Sequence, residues 1–176
     1  MLFRSLLKEA KSQFNGATDL ELDPQNPSTL YASFWSDAIY KSTDAGNSWS
    51  PIMNFGFTAP NFEAALTRFS VAISHPSAGG NGTLYAGFDW VDAAGYHPSR
   101  AFKSTNGGTS WSLLPDGSGG PQGNADVMED YCGGQCFYDN VIETDPTNPD
   151  VVFAAGQFNY GIGRSEERRV GKECRL

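Results

Sequence analysis

The densest run of chemically capable side chains is "VMEDYCGGQCFYDN", residues 127–140. It holds Glu129, Asp130 and Asp139, with Asp126 just ahead and Phe137 and Tyr138 close by. Carboxyl groups brought together can divide proton donation and proton acceptance between them, as in glycosidic bond cleavage. Aromatic rings offer flat apolar faces with a polar rim, which suit the C–H faces of a sugar. Asp126, Glu129, Asp130 and Asp139 are therefore the candidate catalytic residues. Trp90, Tyr96, His97, Phe137 and Tyr138 are the candidate ligand-binding residues. Similar Gly- and Pro-rich stretches carry Glu63, Asp89, Asp92, Phe158 and Tyr160. His97 has no second His nearby and suits a loop hydrogen bond better than a catalytic base.

Cys132 and Cys136 flank a Gly-Gly pair. They either close a small disulfide, which fits an oxidising compartment, or remain two free thiols. A zinc site would need ligands beyond this pair, and the sequence shows no second cysteine pair and only two histidines. No D-x-D-x-D-G run marks a calcium loop. Neither a metal nor a cofactor is expected.

These residues belong to a chain of 176 residues, enough for one ordinary domain. Apolar residues make up 39% and charged residues 18%, with 20 Gly and 10 Pro, a globular and turn-rich composition. No apolar run approaches the roughly 20 residues of a membrane helix, so membrane insertion is not expected. The opening "MLFRSLLKEAKSQF" is too short in apolar content and too broken by charge for a signal peptide. Residues 1–16 form a poorly defined segment, with Met1–Phe14 either helical, disordered or a degenerate blade end, since "LFRS" echoes the later "IYKS".

The other end breaks in composition. "RSEERRVGKEC", residues 164–174, resembles a frame translation of a sequencing adapter, so 164–176 is set aside and the natural sequence is expected to be truncated near Gly163. Residues 164–176 hold five Lys/Arg and three Asp/Glu. The remainder then carries seven against seventeen, shifting the net charge from −8 to −10. So acidic a chain repels phosphate backbones, and nucleic acid is not an expected partner.

The elements that must position the loops come from a repeat. "KSTDAGNSWS" (41–50) returns as "KSTNGGTSWS" (103–112), identical at seven of ten positions. Ahead of the two copies stand "DLELDPQNPSTLYASF" (19–34) and "SVAISHPSAGGNGTLYAGF" (70–88), and "NVIETDPTNPDVVFAAGQF" (140–158) follows. Pro24, Pro76 and Pro146 mark one place in each unit, 52 and 70 residues apart, so loops vary while a core repeats. Alternating and β-branched runs predict strands over 19–23, 29–34, 38–42 and 48–52, then over 70–74, 83–88, 100–104 and 110–114. The third unit supplies its first two strands. Four antiparallel strands per repeat is the plan of a propeller blade. The expected fold is all-β, about two and a half such blades (17–54, 69–115 and an incomplete 140–163) within a partial propeller over 17–163.

Ser42, Asp44, Gly46 and Trp49, and again Ser104, Asn106, Gly108 and Trp111, resemble the Asp-box of the bacterial neuraminidase repeat, S/T-x-D/N-x-G-x-x-W. That superfamily includes sialidases, xyloglucan-cleaving glycosidases and sortilin-type receptor ectodomains. The resemblance implies a structural turn between third and fourth strands, away from the ligand face. The carboxylate or amide accepts backbone N–H bonds, the Gly takes positive φ, and the Trp packs between sheets. The opposite face, with its second-to-third loops and inter-blade connections, is then the place for a site.

Function does not follow from the fold. The resemblance implies a secreted, extracellular, periplasmic or cell-surface parent that is glycoside-hydrolase-like or carbohydrate-binding. The alternative is a non-catalytic sortilin-like scaffold for a protein or peptide ligand. A sialidase uses an arginine cluster, whereas residues 1–163 contain only Arg4, Arg68 and Arg100 and no Arg-Ile-Pro. The xyloglucan-cleaving relatives use two carboxylates, which the acidic loops could supply. The chain by itself is expected to lack turnover, because a propeller ligand sits where a full ring of blades converges.

Overall fold

The computed structural model describes residues 16–35, 37–53, 68–74, 82–89, 99–114, 132, 136–145 and 148–156. Among them the architecture is all-β, with no helix. The first unit contains β1 (Ala17–Leu22), β2 (Leu30–Phe34), β3 (Ile39–Ser42) and β4 (Ser50–Met53), which form an antiparallel sheet in chain order. The second repeats this with β5 (Ser70–Ile73), β6 (Leu84–Asp89), β7 (Ser99–Ser104) and β8 (Ser112–Leu113). The third supplies β9 (Val141–Thr144) and β10 (Val152–Ala155), paired antiparallel. β5 packs on β1 and β9 packs on β5, so the first strands of successive sheets converge as in a propeller.

The fourth strands are shorter than the sequence pattern predicts. Ser48 and Ser110 give their backbone N–H groups to the side chains of Asp44 and Asn106 instead of to a ladder. The turn thereby claims positions 48–49 and 110–111, and pairing begins only at Ser50 and Ser112.

Pro76 does not mark the same place as Pro24 and Pro146. The bonds that close the first-to-second turns run from Asp23 N to Thr29 O, Ser74 N to Thr83 O, and Asp145 N to Val151 O. Ser74 is thus the equivalent of Asp23 and Asp145, and Pro76 falls one position late. The second turn spans nine positions where the others span six, so its Pro need not hold register. A one-residue slip would move every side chain to the opposite face. In the structural register Leu20, Val71 and Ile142 are equivalent, as are Glu21, Ala72 and Glu143.

Two cores fill the gaps between sheets. Tyr31, Ile39 and Met53 of the first sheet meet Phe69, Val71, Ile73, Leu84, Ala86 and Phe88 of the second. The rings of Phe69 and Phe88 lie 4.9 Å apart, and Phe88 stacks on Phe102 at 5.2 Å. Ala72, Tyr85, Ala101 and Leu114 meet Ile142, Val152 and Ala154 across the next gap. Alternation along each strand sends one set of side chains forward and the other backward, so every sheet is apolar on both faces.

Polar contacts fasten the same gaps. The hydroxyls of Thr18 and Ser33 lie 2.8 and 2.9 Å from the carbonyl of Phe69. The Asn140 amide donates to the carbonyls of Arg68 and Gly87 at 2.9 and 2.8 Å. Thr144 donates to Ile73 O at 3.1 Å. Carbonyls at strand ends, which would otherwise be buried without donors, are satisfied this way.

Candidate functional site

The repeated turn is closed on itself. In the first copy the Asp44 carboxylate accepts from the Ser42 hydroxyl (2.8 Å), Ser48 N (2.8 Å) and the Ser48 hydroxyl (2.6 Å). The Ser42 oxygen in turn accepts from Gly46 N at 2.8 Å. These donors, led by the Ser48 hydroxyl, hold the Asp44 carboxyl down at about 2. In the second copy Asn106 Oδ1 accepts from Ser104 (2.9 Å) and Ser110 N (2.9 Å), while its Nδ2 donates to the Ser110 hydroxyl (2.8 Å). A serine hydroxyl can donate or accept, so it reverses and lets Asp and Asn serve one geometry. Gly46 and Gly108 take φ of 84° and 89°. Both carboxylate oxygens of Asp44, and both the oxygen and the nitrogen of the Asn106 amide, are thus engaged within the turn itself.

The two tryptophans differ. Trp49 donates from Nε1 to Gly46 O within its own turn, at 3.1 Å. Trp111 reaches back to the preceding sheet and donates to Ile52 O at 3.0 Å. Both rings are half-buried.

The turns also define the faces. Ala45 N donates to Ser28 O at 2.8 Å, which ties the third-to-fourth turn to the first-to-second turn on one side of the sheet. The strands that begin β1, β5 and β9 start on the opposite side. There the chain passes through Phe137, Tyr138 and Asp139 into β9. Phe137 is 42% and Tyr138 71% exposed, and Asp139 is half-buried. Arg68 donates from Nη1 to Tyr138 O at 3.0 Å and so anchors this run. Cys132 and Cys136 are joined by a disulfide that is fully buried and packs on Ala154. The backbone N–H of Cys132 donates to the Ser99 hydroxyl at 2.9 Å. Trp90, Tyr96, His97, Asp126, Glu129 and Asp130 lie outside the described residues, as do Glu63, Asp92, Phe158 and Tyr160; of Asp89 only the backbone, at the end of β6, is described.

The structure brings together acids that the loop-based reading passed over. Asp19 and Glu21 sit two apart on β1 and so share a face, and Glu143 is the equivalent of Glu21 on β9. Asp19 Oδ2 accepts from the Ser70 hydroxyl (2.8 Å) and Val71 N (3.1 Å) across the first gap. Burial, then the charges of Asp19 and Glu143, push the Glu21 carboxyl up to about 7. A carboxyl protonated near neutrality beside a hydrogen-bonded second carboxylate is an arrangement suited to acid–base work. Its sequence signal was the tetrapeptide pattern E-x-D-P, present as "ELDP" (21–24) and "ETDP" (143–146). Among the described residues no group of three or more His, Cys, Asp or Glu is arranged to hold a metal ion.

A Tyr and Lys couple also recurs. Tyr31 pairs with Lys41 and Tyr85 with Lys103 in register, each ammonium 5.5 or 5.8 Å from its ring centre. Lys41 donates forward to Gly107 O at 3.2 Å, and Lys103 forward to Asp150 at 3.1 Å. Tyr85 donates to Pro149 O at 2.8 Å. The couple is a forward clasp between sheets, which argues for structure at these positions.

No protein-family model matches the chain, and no curated protein matches it in sequence. Among solved structures the chain is similar to YCF48 from Cyanidioschyzon merolae, at 14% identity and TM-score 0.47, over 81% of this chain and 34% of that one. It is also similar to the GH74 xyloglucanase from Xanthomonas campestris, at 18% identity and TM-score 0.45, over 79% of this chain and 18% of that one. The chain thus spans about a third and about a fifth of the lengths of these two proteins. No described helix is long and apolar enough to cross a membrane.

Proposed function

We propose that the chain is a segment of an Asp-box propeller protein that acts on carbohydrate, either glycoside-hydrolase-like or carbohydrate-binding. The observation that supports this reading is the placement of Asp19, Glu21 and Glu143 on converging first strands, with Glu21 raised to about 7. At those positions the second unit uses Ser70 and Ala72, so the acids are not demanded by the repeat. Glu21 would donate a proton to a glycosidic oxygen, and a neighbouring carboxyl, Asp19 or Glu143, would stabilise positive charge or activate water. Phe137 and Tyr138 lie at the other end of the first strands from Glu21, on the face that opens away from the repeated turns, and would supply a separate stacking surface there.

The reading assigns binding to this chain and turnover to a complete ring of blades. Affinity electrophoresis of the full chain in gels containing xyloglucan, β-glucan or sialoglycoprotein tests it. Retardation by a glycan, weakened at least several-fold in Tyr138→Ala, is expected. Absence of retardation by every polysaccharide, with capture of a peptide ligand instead, would replace this reading with the sortilin-like scaffold.

A further inference from the structure

The second copy of the repeated turn holds an Asn-Gly pair, Asn106–Gly107, where the first copy has Asp44–Ala45. In such a pair the glycine's backbone nitrogen can attack the side-chain carbonyl carbon of the Asn, because no side chain on the second residue hinders the approach. In the first copy the corresponding nitrogen, Ala45 N, is tied to Ser28 O at 2.8 Å. Gly82 is the equivalent of Ser28 in the longer second turn, and among the described residues Gly107 N donates to no acceptor. The nucleophile is therefore unengaged in the second copy alone.

The carbon it would attack is polarised. Asn106 Oδ1 accepts from the Ser104 hydroxyl and from Ser110 N, each at 2.9 Å. Charge developing on Oδ1 as Cγ becomes tetrahedral is met by these two donors, as in an oxyanion hole. The departing nitrogen, Nδ2, lies 2.8 Å from the Ser110 hydroxyl, which can also donate a proton. The Lys41 ammonium stands 3.2 Å from Gly107 O and 2.9 Å from where a Cβ on residue 107 would be. A cation so close favours loss of the Gly107 N–H proton. Asn106 is exposed, so water has access to it.

We propose that Asn106 is a site of spontaneous deamidation in the folded protein, assisted by this turn and yielding aspartate. Gly107 N gives its proton to solvent and bonds to Asn106 Cγ. The bond from Cγ to Nδ2 breaks, ammonia leaves, and a cyclic imide closes. Water then adds to Cγ, the new bond to Gly107 N opens, and that nitrogen regains a proton. The sum is Asn plus water giving Asp plus ammonia. Water added at the backbone carbonyl carbon would give isoaspartate instead and lengthen the main chain of the turn by one carbon. The two donors on Oδ1 favour addition at Cγ. The product has a seat that the first copy already shows: Asp44 holds the same place, with the Ser48 hydroxyl donating at 2.6 Å where the Ser110 hydroxyl accepts. Conversion therefore adds a negative charge and makes the second turn a match for the first.

The test incubates the full chain in mildly alkaline buffer, folded and in urea, and follows conversion by peptide mass spectrometry. In urea the three Asn-Gly pairs, Asn15–Gly16, Asn81–Gly82 and Asn106–Gly107, set the unfolded rate. Asn106 is expected to convert several-fold faster in the folded chain than in urea, with aspartate exceeding isoaspartate. Lys41→Met and Ser104→Ala should each slow the folded rate and leave the urea rate alone. Melting curves identify a variant that fails to fold. Lys41→Met leaves every bond to the Asn106 amide in place, so it decides the matter if Ser104→Ala unfolds. Asn106→Asp should melt close to wild type. A folded rate at or below the urea rate would overturn the proposal. So would an acceleration that Lys41→Met and Ser104→Ala both leave untouched, or isoaspartate as the main product of the folded chain.

Discussion

Ala45 and Gly107 hold one position of the repeated turn, and both are left-handed, at φ of 56° and 66°. An L side chain in that region costs about 1–2 kcal/mol, part of which glycine's extra unfolded freedom offsets. Ala45→Gly should therefore stabilise the protein by about 0.5–1 kcal/mol, visible as a melting temperature raised by a few degrees. The Asp/Asn exchange between copies leads to a second expectation. Asp44→Asn should leave melting almost unchanged, because the amide can reuse the Asn106 pattern. Asp44→Ala should lower it clearly, since Ser48 N and the Ser42 hydroxyl lose their acceptor. Glu21 controls a pH response. Its folded pKa is raised from 4.5 to about 7, so the associated stability is fully present below about 4.5 and lost as pH rises through about 7. Melting curves from pH 4 to 8 should show a decline that Glu21→Gln flattens; an unchanged decline would place its cause elsewhere.

At the scale of elements, the two tryptophans that look identical in sequence divide their labour. Trp49 closes its own turn, while Trp111 joins β8 to the end of β4 through Ile52 O. Trp111→Phe keeps most of the ring and removes the inter-sheet bond, so it should destabilise by about 1–2 kcal/mol in chemical denaturation. Because both rings are half-buried, truncation to Ala should cost nearer 2–3 kcal/mol than the roughly 3–5 expected for a buried aromatic. The strand pattern was legible because alternation and β-branching recur in each unit. The strand ends were not, because side chains of Asp44 and Asn106 capture backbone donors that a strand prediction assigns to the ladder.

The whole molecule is a stack in which each sheet depends on its neighbours. Gly108 shows how tightly. A Cβ there would meet Ile52 Cδ1 at 2.5 Å, on the preceding sheet, and would also have to adopt φ of 89°. Gly108→Ala should cost about 2–4 kcal/mol, combining backbone strain and overpacking. Adding Ile52→Ala should recover the packing part only, and the double-mutant cycle in thermal or urea unfolding separates the two. The clasp of Lys41 on Gly107 O and Lys103 on Asp150 acts at this scale as well. Its residues read as ordinary exposed-strand lysines until the next sheet is in place.

What the sequence determined alone was the repeated unit, four strands with the turn between the last two, and an acidic net charge. Those follow from local rules, because alternation, positive-φ glycines and short-range side-chain acceptors act within a few residues. The tertiary structure decided which positions matter together. It corrected the register around Pro76, since pairing is set by ladder bonds and not by a proline in a turn that can lengthen. It added Asp19, Glu21 and Glu143 to the acids of interest, because proximity between β1 and β9 exists only once β5 lies between them. It also separated Trp49 from Trp111, and buried Val71 from exposed Leu20, by the presence or absence of a neighbouring sheet. Burial and electrostatic coupling are properties of that stacking, and no span of the chain read alone contains them.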